Sequence, residues 1–183
     1  MSLTRTVILA LLFACTLFMK SNAQISVGME LGAPFGTFSD YAGLGIGVSG
    51  KYEGSIEEGL AWTVASKFLS YDGKSFLGGA YSSTVIVPLS AGFIYYFNGT
   101  REEKTAHGWY ASFELSFPFI SYRTAYLNQL KGNQLTFSTR TENEICYAPG
   151  FGYRSKKWDF AGMMNLMGDF SYFSLRAAYI LGK

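Results

Sequence analysis

Every second residue from Phe173 to Leu181 is bulky or apolar (Phe173, Leu175, Ala177, Tyr179, Leu181), and Ser174, Arg176, Ala178 and Ile180 fall between them. That is the period of a strand, and it recurs about eight times along the chain. The strands are read at Gln24–Gly32, Gly43–Tyr52, Leu60–Tyr71, Thr84–Phe97, Trp109–Phe119, Glu144–Arg154, Trp158–Met167 and the closing one at Phe173–Leu181. A soluble sandwich hides such a face in its core. A transmembrane barrel turns it to lipid and keeps polar groups in the lumen. Strands of roughly ten residues suit a tilted bilayer crossing. Pro88, in mid-strand, marks an expected bulge or bend.

Residues 1–23 read as an export signal: Arg5, the apolar run Val7–Met19, then Ser21-Asn22-Ala23 as a small-residue cleavage site. The expected domain division is a signal peptide at 1–23 and a barrel at 24–183. Arg5 and Lys20 account for two of the 15 basic residues, leaving 13 against 13 acidic ones. No basic stripe points to nucleic acid. Cys146 is the sole cysteine beyond the signal, which excludes an internal disulfide, and one histidine with one cysteine gives no metal-ligand spacing. No cofactor is expected.

With the N-terminus in the periplasm, the outer loops fall at 33–42, 72–83, 120–143 and 168–171, and the inner turns at 53–59, 98–108 and 155–157. Tyr52, Trp62, Tyr95, Phe97, Trp109, Tyr153, Trp158 and Tyr179 then lie near the periplasmic ends on the apolar face. Amphipathic rings favour that interfacial depth, so these residues are read as one aromatic girdle.

Gly36-Thr37-Phe38-Ser39-Asp40 leading into Gly43-Leu44-Gly45-Ile46-Gly47 resembles the first hairpin of the small outer-membrane barrels of the OmpA/OmpX/OmpW type, in the versions found in Bacteroidetes-like bacteria. Tyr147–Tyr153 and Ser174–Tyr179 resemble their closing strands. The resemblance spans most of 24–183 and implies an all-β, eight-stranded antiparallel up-and-down transmembrane barrel in contact with outer-membrane lipid. Such barrels commonly end on an aromatic residue, whereas this sequence ends Ile180-Leu181-Gly182-Lys183, with Tyr179 in its place.

An eight-stranded barrel is just wide enough for side chains to fill it. Glu30, Lys67, Glu114 and Arg176 face inward at similar height, and Glu30 and Arg176 sit on strands that become neighbours on closure. They are expected to pair, with Lys67 and Glu114 completing a balanced polar plug. Glu30 and Glu114 invite an enzymatic reading, but a filled lumen admits no substrate, so no enzyme is expected. His107 falls in a turn at the periplasmic end. The loop from Ile120 to Asn143 is too apolar to idle in solvent: Tyr122, Arg123, Tyr126 and Phe137 make it the candidate site for an extracellular protein or surface ligand. Alternation over Leu135–Thr139 suggests that the flanking strands extend as a hairpin whose edge recruits a partner strand. A role as a narrow conduit or binding site for small hydrophobic molecules stays open, supported by inward Ile86, Ile94, Met163 and Met167. So does a soluble periplasmic lipid-binding barrel.

Overall fold

The computed structural model describes residues 24–57, 59–74, 81–97, 107–128 and 134–181, with backbone only at 81–82, 124–128 and 134–137. The expected signal segment lies outside these residues, as do most of the turn at 98–108 and the ends of two loops. The chain forms β1 (Gln24–Pro34), α1 (Phe38–Tyr41), β2 (Ala42–Glu57), β3 (Leu60–Gly73), β4 (Tyr81–Tyr96), β5 (Gly108–Asn128), β6 (Gln134–Asn143), β7 (Cys146–Arg154), β8 (Trp158–Asn165) and β9 (Tyr172–Leu181). The ladder runs β4-β3-β2-β1-β9-β8-β7-β5-β6, and β4 also pairs with β5, which closes the barrel.

Nine strand segments make eight staves. Asn143 opposes Phe119 and Cys146 opposes Ser116, so β6 and β7 meet β5 in one continuous register, interrupted only at Glu144-Ile145. The expected strand Glu144–Arg154 therefore starts two residues later and is the lower half of a longer stave. The extension expected beyond Phe119 is present as β6 against residues 119–128 of β5. Pro118 sits at the break. It has no N–H to donate, so the ladder from β5 lapses there.

Pro88 is opposite Pro118. Two facing prolines are tolerated only where neither N–H would have pointed at the other, between the hydrogen-bonded pairs of an antiparallel ladder. The expected bulge at Pro88 does not form. The β4–β5 register runs unbroken, and on the other edge the β3–β4 ladder merely opens between Ser66↔Leu89 and Leu69↔Ile86 without shifting. The turn expected at 53–59 is also shorter, because β2 continues to Glu57.

Alternation along each stave sends one face out and the other into the lumen. β9 reads buried, exposed, buried, exposed without interruption from Tyr172 to Leu181. Large apolar side chains cover the outside: Met29 is 72% exposed, Leu44 73% and Ile46 65%, and Phe93, Phe113, Phe117, Phe151 and Leu175 stand out with them. A soluble monomer rarely shows more than a few hundred Å² of contiguous apolar surface, so a belt on every stave belongs in lipid. The protein is an eight-stranded antiparallel transmembrane β-barrel. Met29 lies mid-belt, opposite Ala177 and Val48. Met29→Lys is expected to lose about 2–4 kcal/mol of stability in urea unfolding from bilayers, while Ser155→Lys, in a turn at the end carrying the termini, should change it little.

Candidate functional site

The lumen is built in layers by the inward residues of the staves. Eight buried charges lie within it: Lys51, Lys67, Arg154 and Arg176 against Glu30, Glu53, Glu114 and Asp159. Nearest the termini, Arg154 on β7 grips Glu53 on β2 with two parallel bonds, Nη1 to Oε1 at 2.5 Å and Nη2 to Oε2 at 2.6 Å. Tyr96 also donates to Glu53 Oε1, at 2.9 Å. One step further in, Asp159 is fully buried and takes bonds from Lys51 Nζ at 2.6 Å, Arg176 Nη1 at 2.8 Å, Arg154 Nη2 at 3.4 Å and the Tyr110 hydroxyl at 2.6 Å. The remaining donors of Arg176 reach Ser49 at 3.0 Å and Ser26 at 2.8 Å.

The four expected charges are all inward and buried and form long ion pairs with one another, but Arg176 makes its short bond elsewhere. Glu30 and Arg176 are opposed in register, yet Arg176 Nε stays 3.9 Å from Glu30 Oε1. Arg176 makes its direct charge-assisted bond to Asp159 instead, from Nη1 at 2.8 Å. Lys67 stands between Glu30 and Glu114 at 3.8 Å from each, and Glu114 accepts a bond from Ser90 at 3.1 Å. Sequence reasoning missed Lys51, Glu53, Arg154 and Asp159. Lys51, Arg154 and Asp159 lie on the polar face of their strands, and extending the period by one residue past Tyr52 would have recovered Glu53.

Above the charges the lumen turns apolar, a correction to the expectation of a polar core throughout. Phe38, Leu69, Tyr71, Ile86, Ile120, Cys146, Met163, Met167, Phe170 and Tyr172 pack in one cluster at the loop end. Phe38, from α1, meets Tyr71 at 4.9 Å and Phe170 at 5.6 Å between ring centroids. Ile94 sits lower, with Tyr96 and Tyr110. Tyr71 crosses the lumen over Gly32 and Gly45, paired neighbours where any Cβ would strike its ring. Tyr41 donates its hydroxyl to the Asp169 carbonyl at 3.2 Å. Burial, then the Asp169 charge, pushes the Tyr41 phenol up to about 12, so it stays a donor at neutral pH.

The aromatic residues Tyr52, Trp62, Tyr95, Phe97, Trp109, Tyr153, Trp158 and Tyr179 come together on the outer face at the end carrying the termini. Tyr52 meets Trp62 at 5.2 Å, Tyr95 meets Phe97 at 5.8 Å, Trp109 meets Tyr153 at 5.0 Å and Trp158 meets Tyr179 at 5.4 Å. At the opposite end, Tyr122 turns inward, donates to Glu142 at 2.9 Å and touches Phe170, whereas Arg123 is exposed on the other face of β5. The two are therefore not one surface. Tyr126 opposes Thr136 and Phe137 opposes Ala125 along the hairpin backbone. His107 lies just before β5, at the end carrying the termini.

No protein-family model and no curated relative matches the chain. Among solved structures, Ail, the attachment invasion locus protein of Yersinia pestis, matches at TM-score 0.56 and 14% identity over 87% of this chain and 97% of its own. Its complex with the heparin analogue sucrose octasulfate matches at TM-score 0.52, 14% identity and the same coverage of both chains. Neisserial surface protein A matches at TM-score 0.48 and 14% identity, over 87% of this chain and 96% of that one. The likeness to Ail is one of fold, that of the small eight-stranded outer-membrane barrels of the OmpA/OmpX type. The ion network makes a prediction of its own. Asp159→Asn, which strips the charge facing three cations, should cost about 3–5 kcal/mol in urea unfolding from bilayers. Glu30→Gln, whose carboxylate takes no direct bond, should cost clearly less.

Proposed function

We propose that this chain is a non-enzymatic outer-membrane protein, exported with residues 1–23 removed, that carries an interaction surface on a barrel held shut. The observation that carries this reading is the β5–β6 hairpin. Its strands rise past the break at Glu144-Ile145, and among the described residues β6 has a ladder partner on one edge only. A free edge of ten residues offers backbone donors and acceptors to an extended partner segment. Beneath it the charged layers and apolar mouth fill the lumen, leaving no route for a substrate to Glu30 or Glu114, which supports a structural rather than catalytic role for them. The aromatic ring at the other end acts as the periplasmic girdle, and lipid is the constant partner of the belt.

The fold shared with Ail, a protein named for attachment, supports a role at the cell surface, and the bound heparin analogue makes a sulfated glycan a ligand worth testing. Arg123, Tyr126 and Phe137 are the residues of the hairpin proposed to meet the partner, with Tyr122 turned into the mouth beneath them. The apolar mouth favours the second reading, a site for small hydrophobic molecules, yet Phe38 and Phe170 already occupy it. Shortening the hairpin by removal of 124–138 separates the two. Loss of cell-surface adhesion with an unchanged heat-dependent gel shift is the expected result. Intact adhesion, or hydrophobic uptake that survives the deletion, would favour the conduit.

A further inference from the structure

We propose that the middle of the lumen binds a water molecule that bridges the Lys67 ammonium to a carboxylate facing it. Glu30 is 1% exposed, and neither oxygen of its carboxylate receives a hydrogen bond from the protein. A buried carboxylate left in that condition costs several kcal/mol, which the fold avoids everywhere below it: Glu53 and Asp159 are bonded directly at 2.5–2.9 Å. Lys67 is the natural partner, yet its Nζ stands 3.8 Å from Glu30 and 3.8 Å from Glu114. Those separations are too long for direct bonds and short enough for one water to bond both ends. The single direct bond of Lys67 among the described contacts goes to Met163 Sδ at 3.4 Å, a weak acceptor that leaves ammonium protons to place.

The space is there. A cavity of about 10 Å³ opens beside Lys67, lined also by Glu114, Arg176, Ser112, Tyr110 and Met163, while Glu30 faces Lys67 from outside its wall. That is close to the least room one water needs, and the lining offers more than the two to four polar partners a buried water takes. Ions fit less well. Lys51, Lys67 and Arg176 on the wall repel a cation. An anion would unbalance a lumen whose eight buried charges already cancel, four against four. The site lies between the Asp159 cluster toward the termini and the apolar cluster toward the loops.

A crystal structure of the full protein at a resolution that shows ordered solvent tests this. The expected result is a solvent peak within about 3.2 Å of Lys67 Nζ and of a Glu30 or Glu114 oxygen, lost in Lys67→Met crystals. Lys67 bonded directly to either carboxylate with no solvent peak would overturn the proposal. So would a peak that persists in Lys67→Met, or an anomalous signal at the site after a bromide soak, which would make it an anion site.

Discussion

Five staves are tied to one carboxylate. Asp159 reaches inward from β8 and holds Lys51 of β2, Arg154 of β7, Arg176 of β9 and Tyr110 of β5 at one point in the lumen. β2 and β7 lie across the barrel from each other, so the contact spans the interior instead of following the ladder. Each member needs the others. A carboxylate without its cations, or a guanidinium without its carboxylate, is prohibitively costly away from water, whereas the buried charges described in the lumen balance, four against four, and Asp159 is bonded at 2.6–3.4 Å. The belt outside could be supplied by many apolar sequences. The interior could not, because only charges at matching heights on facing staves satisfy one another.

The lumen is graded from one end to the other. Direct, short bonds dominate near the termini, longer ion pairs around Lys67 occupy the middle, and rings and methyl groups close the loop end. The charged layers lie low in the barrel, and the β5–β6 hairpin extends from the other end with its own ladder. Pro118 helps make that division, since it interrupts pairing where β7 gives way to β6.

Much of this was legible in the residues, and the rest was hidden for definable reasons. Strict alternation made β9 and β1 readable nearly to the residue, because each has one face in lipid and one in the lumen. The inward position of Glu30, Lys67, Glu114 and Arg176 followed from the same period. Their long ion pairs followed too, but the shorter bond of Arg176 to Asp159 did not, since a side chain that long reaches carboxylates in neighbouring layers. Glu53 was concealed by being assigned to a turn that β2 in fact runs through. The apolar mouth was legible only in part, through inward Ile86, Met163 and Met167, because Phe38 enters it from a loop, where no strand period announces which way a ring will point. Pro88 misled because a proline opposite another proline needs no bulge.

The three tryptophans of the chain, Trp62, Trp109 and Trp158, all stand on the outer face near the end carrying the termini. Fluorescence quenching by brominated phospholipids in reconstituted vesicles therefore tests the lipid-facing belt and its level together. Strong quenching by lipids brominated near the headgroup, weaker quenching by lipids brominated near the chain ends, and little effect of aqueous iodide is the predicted result. Efficient iodide quenching with no response to lipid bromine would contradict it, and would mean that the aromatic face is not in the membrane.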